Sequence, residues 1–177
     1  MKTSSKYAIL LAVLIFTAPV FGQLNKLSVG VVGTHFANLN GDDRISGIDN
    51  PFGYGLVLGY KVNNNLSVAF TGEYFKDDIE GVGGQEKNIR THISAYITPF
   101  ELETIIPYIS AGVVYTNRKL EYDNSFEETK SIFNGRFGLG VDYPVFSGIS
   151  LNADLGLYTD GLSFVGWSNS LGFRYSF

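Results

Sequence analysis

From residue 26 onward, large apolar residues alternate with small or polar ones in steps of two, the spacing of a strand whose two faces meet different surroundings. The clearest run is Phe52-Gly-Tyr-Gly-Leu-Val-Leu-Gly-Tyr-Lys-Val62: Phe52, Tyr54, Leu56, Leu58, Tyr60 and Val62 fall on one side, Gly53, Gly55, Val57, Gly59 and Lys61 on the other. The same pattern predicts eight strands, over 26–36, 52–62, 66–76, 88–99, 106–116, 132–143, 150–159 and 167–177. Each has about the 9–11 residues that a tilted strand needs to cross a bilayer. No sustained 3.6-residue period interrupts them, and no stretch after residue 22 has the roughly 20 apolar residues of a spanning helix.

The two faces differ in kind. One is apolar almost throughout, with Gly33, Gly72, Thr91, Gly135 and Asn169 among its exceptions, and it carries no acid, lysine or arginine. The other holds Lys61, Glu73, Arg90, Arg136, Asp142, Asp154 and Arg174. A soluble sandwich or lipocalin-like barrel turns its apolar face inward, whereas a transmembrane barrel turns it toward lipid. Three features favour the transmembrane arrangement. The polar face is crowded with small residues such as Gly55, Gly112, Gly138, Gly156, Ser168 and Ser170, which suit a narrow barrel interior better than a water-facing sheet. Aromatics gather toward the strand ends of the apolar face, with Phe52, Tyr54, Tyr74, Tyr115, Phe133 and Trp167 at one rim and Tyr60, Tyr143, Tyr175 and Phe177 at the other. Tyr and Trp favour that headgroup level because one end of the ring is polar. Finally, the connections 63–65, 100–105 and 144–149 are short, while 37–51, 77–87 and 117–131 are longer and hydrophilic and 160–166 is brief. Short periplasmic turns and long outer loops have this asymmetry. The expected fold is all-β: an eight-stranded antiparallel up-and-down transmembrane β-barrel with both mature termini at the periplasmic rim. Strand one then pairs with strand eight, leaving no edge in the bilayer.

Residues 1–22 follow other rules. Lys2 and Lys6 precede the apolar run Tyr7–Phe16, followed by Pro19 and the small residue Gly22, the layout of a cleavable secretory signal peptide. A mature barrel domain over 23–177 is expected, with cleavage after Ala18 as the other option. Removal of the signal lowers the Lys+Arg count from 13 to 11 against 17 acids, a net charge of −6. The composition of 45% hydrophobic and 15% aromatic residues excludes disorder, and the lack of cysteine excludes a disulfide or cysteine–zinc scaffold. A net negative chain offers no basic surface for nucleic acid. The mean hydropathy of +0.08 averages over the signal and the two faces, so it disguises the pattern.

The closing Ser170-Leu-Gly-Phe-Arg-Tyr-Ser-Phe177, together with the signal, mature length and strand number, resembles the small OmpA/OmpX-type outer-membrane barrel families. Pro107-Tyr-Ile-Ser-Ala-Gly112 and Gly138-Leu-Gly-Val-Asp-Tyr143 are similar to segments of the outer membrane protein beta-barrel domain family, of a Bacteroidota type. The resemblance covers 23–177 and its motifs are architectural. It implies a Gram-negative cell envelope, an outer-membrane location among lipid and lipopolysaccharide, a monomer, and recognition of the terminal Phe177 by the barrel-assembly machinery. Full-length OmpA continues into a peptidoglycan-binding domain; this chain stops at Phe177, so that role is not expected.

Candidate chemistry is sparse. Glu73 and Arg90 flank the second outer loop at matching distances, and Asp154 and Arg174 flank the last, so each couple is expected to pair inside the barrel, where an unpaired charge is costly. The interior of eight strands is just wide enough for its own side chains, which argues against a wide diffusion pore. His92 and Ser94 form a His-x-Ser pair on one face, the pairing that the lipid A deacylase family uses with an acid, and Glu73 is the acid nearby. The pair falls on the lumen face, where acyl chains do not reach, so polar filling is the favoured reading. His35 has no evident partner. The acids of 40–50 do not follow EF-hand spacing. In 117–130, Leu120, Tyr122 and Phe126 leave three options open: packing over the mouth, a protruding hairpin, or a partner contact. No catalytic, cofactor-binding or metal-ligating residue is assigned. The expected function is a non-enzymatic structural or loop-mediated surface role. The alternatives are a narrow ion or small-solute channel, a lipid A hydrolase using His92 and Ser94, and a soluble periplasmic barrel binding an apolar ligand.

Overall fold

The computed structural model describes residues 26–38, 51–78, 84–100, 102–122 and 127–177. Eight strands follow in order: β1 (Leu27–Asn38), β2 (Phe52–Lys61), β3 (Leu66–Asp78), β4 (Gly84–Ile97), β5 (Ile106–Tyr122), β6 (Glu127–Phe146), β7 (Ile149–Asp160) and β8 (Ser163–Ser176). Each pairs antiparallel with its sequence neighbour, and β1 pairs with β8, so the sheet closes into a barrel. Closure satisfies every edge at the level where all eight strands overlap, which a hydrocarbon environment requires. The predicted signal segment 1–22 and the whole of the acidic loop 40–50 lie outside the described residues.

Both described ends meet at one rim, hereafter the base, where the Phe177 amide donates to the Leu27 carbonyl at 3.1 Å. Short connections mark this rim. The β6–β7 turn needs only Ser147 and Gly148, and Gly148 adopts φ 78°, a left-handed conformation that glycine enters without a Cβ penalty. At the opposite rim, the top, Gly161 at φ 60° turns β7 into β8 in the same way.

The alternation resolves in the transmembrane sense. Phe52, Leu56, Val113, Phe133 and Leu139 are each more than 60% exposed on the outer wall, while Glu73, Arg90, His92, Ser94 and Arg136 are buried inside. Water would not tolerate a continuous apolar wall of this kind, since exposed patches on soluble monomers rarely exceed a few hundred Å². The soluble reading, which needs those side chains inside, is therefore corrected. The aromatic rims form as pairs on the wall. Tyr54 lies 5.8 Å from Tyr74, Tyr115 4.9 Å from Phe133 and Tyr175 5.0 Å from Phe177, centroid to centroid. His35, without a partner in the sequence reading, meets Trp167 edge-on at 6.4 Å.

The strand boundaries differ most at the top. β4 begins at Gly84 rather than 88, and β5 and β6 run on to Tyr122 and from Glu127, so most of the expected third loop is ladder. Of the three options for that segment, the hairpin forms, with Leu120 buried on its inward face, while Phe126 lies outside the described residues. Arg118–Lys130, Lys119–Thr129 and Leu120–Glu128 are registered pairs, and Lys119 bridges Glu121 at 2.9 Å and Glu127 at 3.0 Å. Such charged, polar segments read as loop by composition, yet the cross-strand bridges Lys119–Glu127 and Lys87–Glu121 support a ladder in water.

Candidate functional site

The concave, chemically rich part of the molecule is the lumen, and it is filled in layers. Uppermost, Arg118 donates to Glu86 at 2.9 Å and Asn88 to the other Glu86 oxygen at 2.6 Å. All three are buried, although both charged residues fall in segments that the sequence reading assigned to loops. The signal was there in period two: Glu86, Asn88, Arg90, His92 and Ser94 follow one another at every second position.

Below this lies a collar that sequence reasoning missed. The Arg90 guanidinium carbon sits 4.4 Å from the Phe36 ring centroid, 4.6 Å from Phe75 and 5.1 Å from Tyr158. Phe36 and Tyr158 themselves meet edge-on at 5.1 Å, and Val114 and Val165 join the same cluster. A cation stripped of water gains about 2 kcal/mol from a well-placed aromatic face, so three rings supply Arg90 with an environment that a single acid was expected to give. Arg90 and Glu73 do stand opposite in the β3–β4 register, but no ion pair joins them among the described residues. Glu73 instead accepts from Thr34 Oγ1 at 2.5 Å and lies 3.7 Å from His92 Nε2.

The second expected pair is also corrected. Asp154 is registered with Ser170, and Arg174 with Ser150 and Gly30, which sets the two charges at different levels. Asp154 pairs with Arg136 across the β6–β7 seam, and Arg136 also donates to Ser110 at 3.1 Å. Arg174 pairs with Asp142 at 3.4 Å. Between them, Tyr96 and Tyr108 stack edge-on at 5.2 Å, Tyr108 donates to Asp154 at 3.2 Å, and Asn152 donates to both Tyr108 and Asp142 at 2.8 Å. Distance from the last loop misassigned these partners because β8 starts as early as Ser163 and the ladder shifts register at Tyr158/Thr159, which leaves Arg174 four residues below the Ser170 that faces Asp154.

His92 and Ser94 do come together: Nδ1 and Oγ share a hydrogen bond at 3.3 Å, with Glu73 on the far side of the ring. The order Ser–His–Glu is that of a hydrolase relay. Its surroundings are those of a plug. Ser94 is 1% exposed, and the nearest internal space, lined by His92, Glu73, Arg136 and Asp154, has a volume of about 30 Å³. That volume holds a water but no acyl chain or sugar, which need several hundred Å³. Glycines keep the layers this tight. A Cβ on Gly112 would run into the Ile93 carbonyl and Ser94 Oγ, and one on Gly138 into Ser110 Oγ.

A closed eight-stranded barrel with an apolar outer wall, aromatic rims and a polar, packed lumen defines the class of small outer-membrane β-barrels. The family model described as "Outer membrane protein beta-barrel domain" matches residues 8–177, and the chain belongs to that family. Its setting is accordingly the Gram-negative outer membrane. No curated protein matches the chain in sequence. Among solved structures, it is similar to Neisserial surface protein A, with 17% identity, TM-score 0.68, and coverage of 85% of this chain and 97% of that one. It is also similar to OprG of Pseudomonas aeruginosa (16%, TM-score 0.61, 86% and 97%). Ail, the attachment invasion locus protein of Yersinia pestis, shows the same fold (17%, TM-score 0.57, 86% and 97%). At these identities the likeness concerns the fold alone.

Proposed function

We propose that this chain is a sealed, non-enzymatic, monomeric outer-membrane barrel that acts at the cell surface through its protruding β4–β6 sheet. The observation that carries this reading is the mismatch between neighbouring strands at the top. The last β6–β7 pair is Gly135–Thr159, whereas β6 continues up to Glu127, so residues 127–134 have a strand neighbour on the β5 side only. Glu127, Glu128, Thr129, Lys130 and Ser131 are exposed. An unpaired edge in water can receive an extended segment by strand addition, and its charges limit indiscriminate pairing. In this orientation both termini face the periplasm, residues 1–22 are the cleaved signal, and Phe177 is the residue offered to the assembly machinery.

Two measurements test the proposal. Planar-bilayer recording of the purified protein is expected to match bare lipid; stepwise conductance would establish the channel alternative. An epitope inserted within 123–126 is expected to be labelled on intact cells, and labelling only after lysis would reverse the orientation. The Ser94–His92–Glu73 arrangement supports a second reading, lipid A hydrolysis. Comparison of lipid A acylation between wild type and Ser94→Ala by mass spectrometry decides it, an unchanged profile removing the hydrolase.

A further inference from the structure

The base of the barrel opens into a vestibule of about 280 Å³. Its roof is the Tyr96 ring with the Asp142–Arg174 pair, and its walls include Lys26, Lys61, Ser28 and Gly59. The wall charges are unbalanced: three cations face a single carboxylate, Asp142. That carboxylate is already engaged, with Asn152 donating to one oxygen at 2.8 Å and Arg174 reaching the other only at 3.4 Å. Beyond that one contact Arg174 has N–H donors to spare at the vestibule roof.

The register adds a second, independent observation. β1 and β2 pair Leu27 with Tyr60, so one step further down Lys26 comes opposite Lys61. Both belong to the lumen-facing parity shared with Ser28 and Gly59, and both line the vestibule. Like charges directly opposite in a ladder destabilise it. Neither lysine has an ion-pair partner among the described residues. Inside the barrel the other cations are each accommodated: Arg118 by Glu86, Arg136 by Asp154, Arg174 by Asp142, and Arg90 by its three rings. Lys26 and Lys61 have neither an acid nor a ring collar among the described residues, and Gly59 keeps the space beside them open, since a Cβ there would meet Ser28 Oγ.

We infer that the vestibule is an anion-binding site for a phosphate-class group of two or more charges, held between Lys26 and Lys61 with Arg174 above it. A phosphate or pyrophosphate accepts from several donors at once, and a guanidinium and two ammonium groups supply them with charge-assisted hydrogen bonds. The layers above Tyr96 make the site a dead end, so it binds rather than conducts. The phosphate could belong to a free solute or to a lipid headgroup at the rim.

The test is a titration of the isotope-labelled folded protein with inorganic pyrophosphate in phosphate-free octyl glucoside micelles, followed by amide chemical shifts. Saturable shifts at Ser28, Gly59 and Lys61 are expected, with the dissociation constant rising about tenfold or more in Lys61→Gln and in Arg174→Gln, as loss of one charge-assisted bond implies. Spectral dispersion of each variant shows that it is folded, and Lys26→Gln, one residue before the start of β1, provides an independent variant. Linear, unsaturable shifts, or binding unchanged in Lys61→Gln and Lys26→Gln, would overturn the site. So would shifts confined to Lys87 and Lys119 at the top. Repeating the titration in phosphatidylcholine nanodiscs with and without phosphatidylglycerol separates the sources. If phosphatidylglycerol alone moves the same amides and blocks pyrophosphate, the bound phosphate is a headgroup; if pyrophosphate still binds there, it is a solute.

Discussion

The Arg136–Asp154 pair offers a quantitative test of how the lumen is held together. Their side chains are 3% and 6% exposed, so solvent screens the pair little. At an effective dielectric near 20, charges about 4 Å apart attract by about 4 kcal/mol. Asp154→Ala removes the attraction and leaves Arg136 desolvated, a change that costs about 3–5 kcal/mol when a buried partner is lost. Two features place the expected value near the lower end. Ser110 remains a hydrogen-bond partner for Arg136, and the adjoining 30 Å³ space admits a water that can take over part of the carboxylate's role. A destabilisation of about 3 kcal/mol is expected. The double variant Asp154→Ala with Arg136→Met removes the orphaned charge as well, and should recover most of the loss, to within about 1–2 kcal/mol of wild type, because apolar replacement of a buried pair is often near neutral. Reversible denaturant unfolding in lipid vesicles measures both, and Trp167, the one tryptophan of the chain, reports on the wall near the top rim. If the single variant costs less than about 1 kcal/mol, or the double costs as much as the single, the layer is not held by this pair and the reasoning fails.

Three further outcomes follow from the same geometry. Gly112→Val is expected to abolish the heat-modifiable folded band on electrophoresis, while Gly72→Val, whose Cβ meets nothing within 4 Å, should keep it; equal behaviour would contradict the tight lumen. Leu56→Arg on the outer wall should cost about 2–4 kcal/mol near the midplane in the vesicle assay, falling toward zero for the same change at the rim position Phe52. At the top, Lys87 and Lys119 hold the Glu121 carboxyl down at about 2, from an ordinary 4.5. Because the folded-state value is depressed, the contribution is complete above pH 4.5 and disappears as pH falls toward 2. Protection factors of the Lys87 and Glu121 amides, corrected for intrinsic exchange, should fall over that window while the Gly112 layer stays protected, and a midpoint near 4.5 would show that the bridges are not formed.

The fold was legible in the sequence because a bilayer forces one rule on every strand: a side chain at any odd step faces lipid and one at any even step does not. Phe52, Leu56 and Leu58 therefore announced their direction without any tertiary information. The upper ends were less legible for the same reason. Above the headgroups the outer face of β5 meets water and its inner face mixes the buried Arg118 with Leu120, so Asn117-Arg-Lys-Leu-Glu-Tyr122 has no apolar stripe to mark it as strand, and only its cross-strand charges do. The lumen partners were hidden for another cause. Pairing inside a barrel depends on the offset between strands, which moves Asp154 to Arg136 and Arg174 to Asp142. The Arg90 collar was hidden because Phe36, Phe75 and Tyr158 sit on the face that otherwise carries small and polar residues, where three rings from distant strands have no local signature.

That collar bears on how the barrel is made. Its rings come from β1, β3 and β7, its guanidinium from β4, and Val165 from β8, so no hairpin or run of neighbouring strands contains enough of it to shield the Arg90 charge. A partly assembled sheet would leave that charge facing hydrocarbon or a torn edge. The meeting of the first and last strands brings Phe36 to complete the collar. Arg90 thus ties its full enclosure to the finished ring: a sheet that has not yet closed on β1 leaves one side of the guanidinium uncovered.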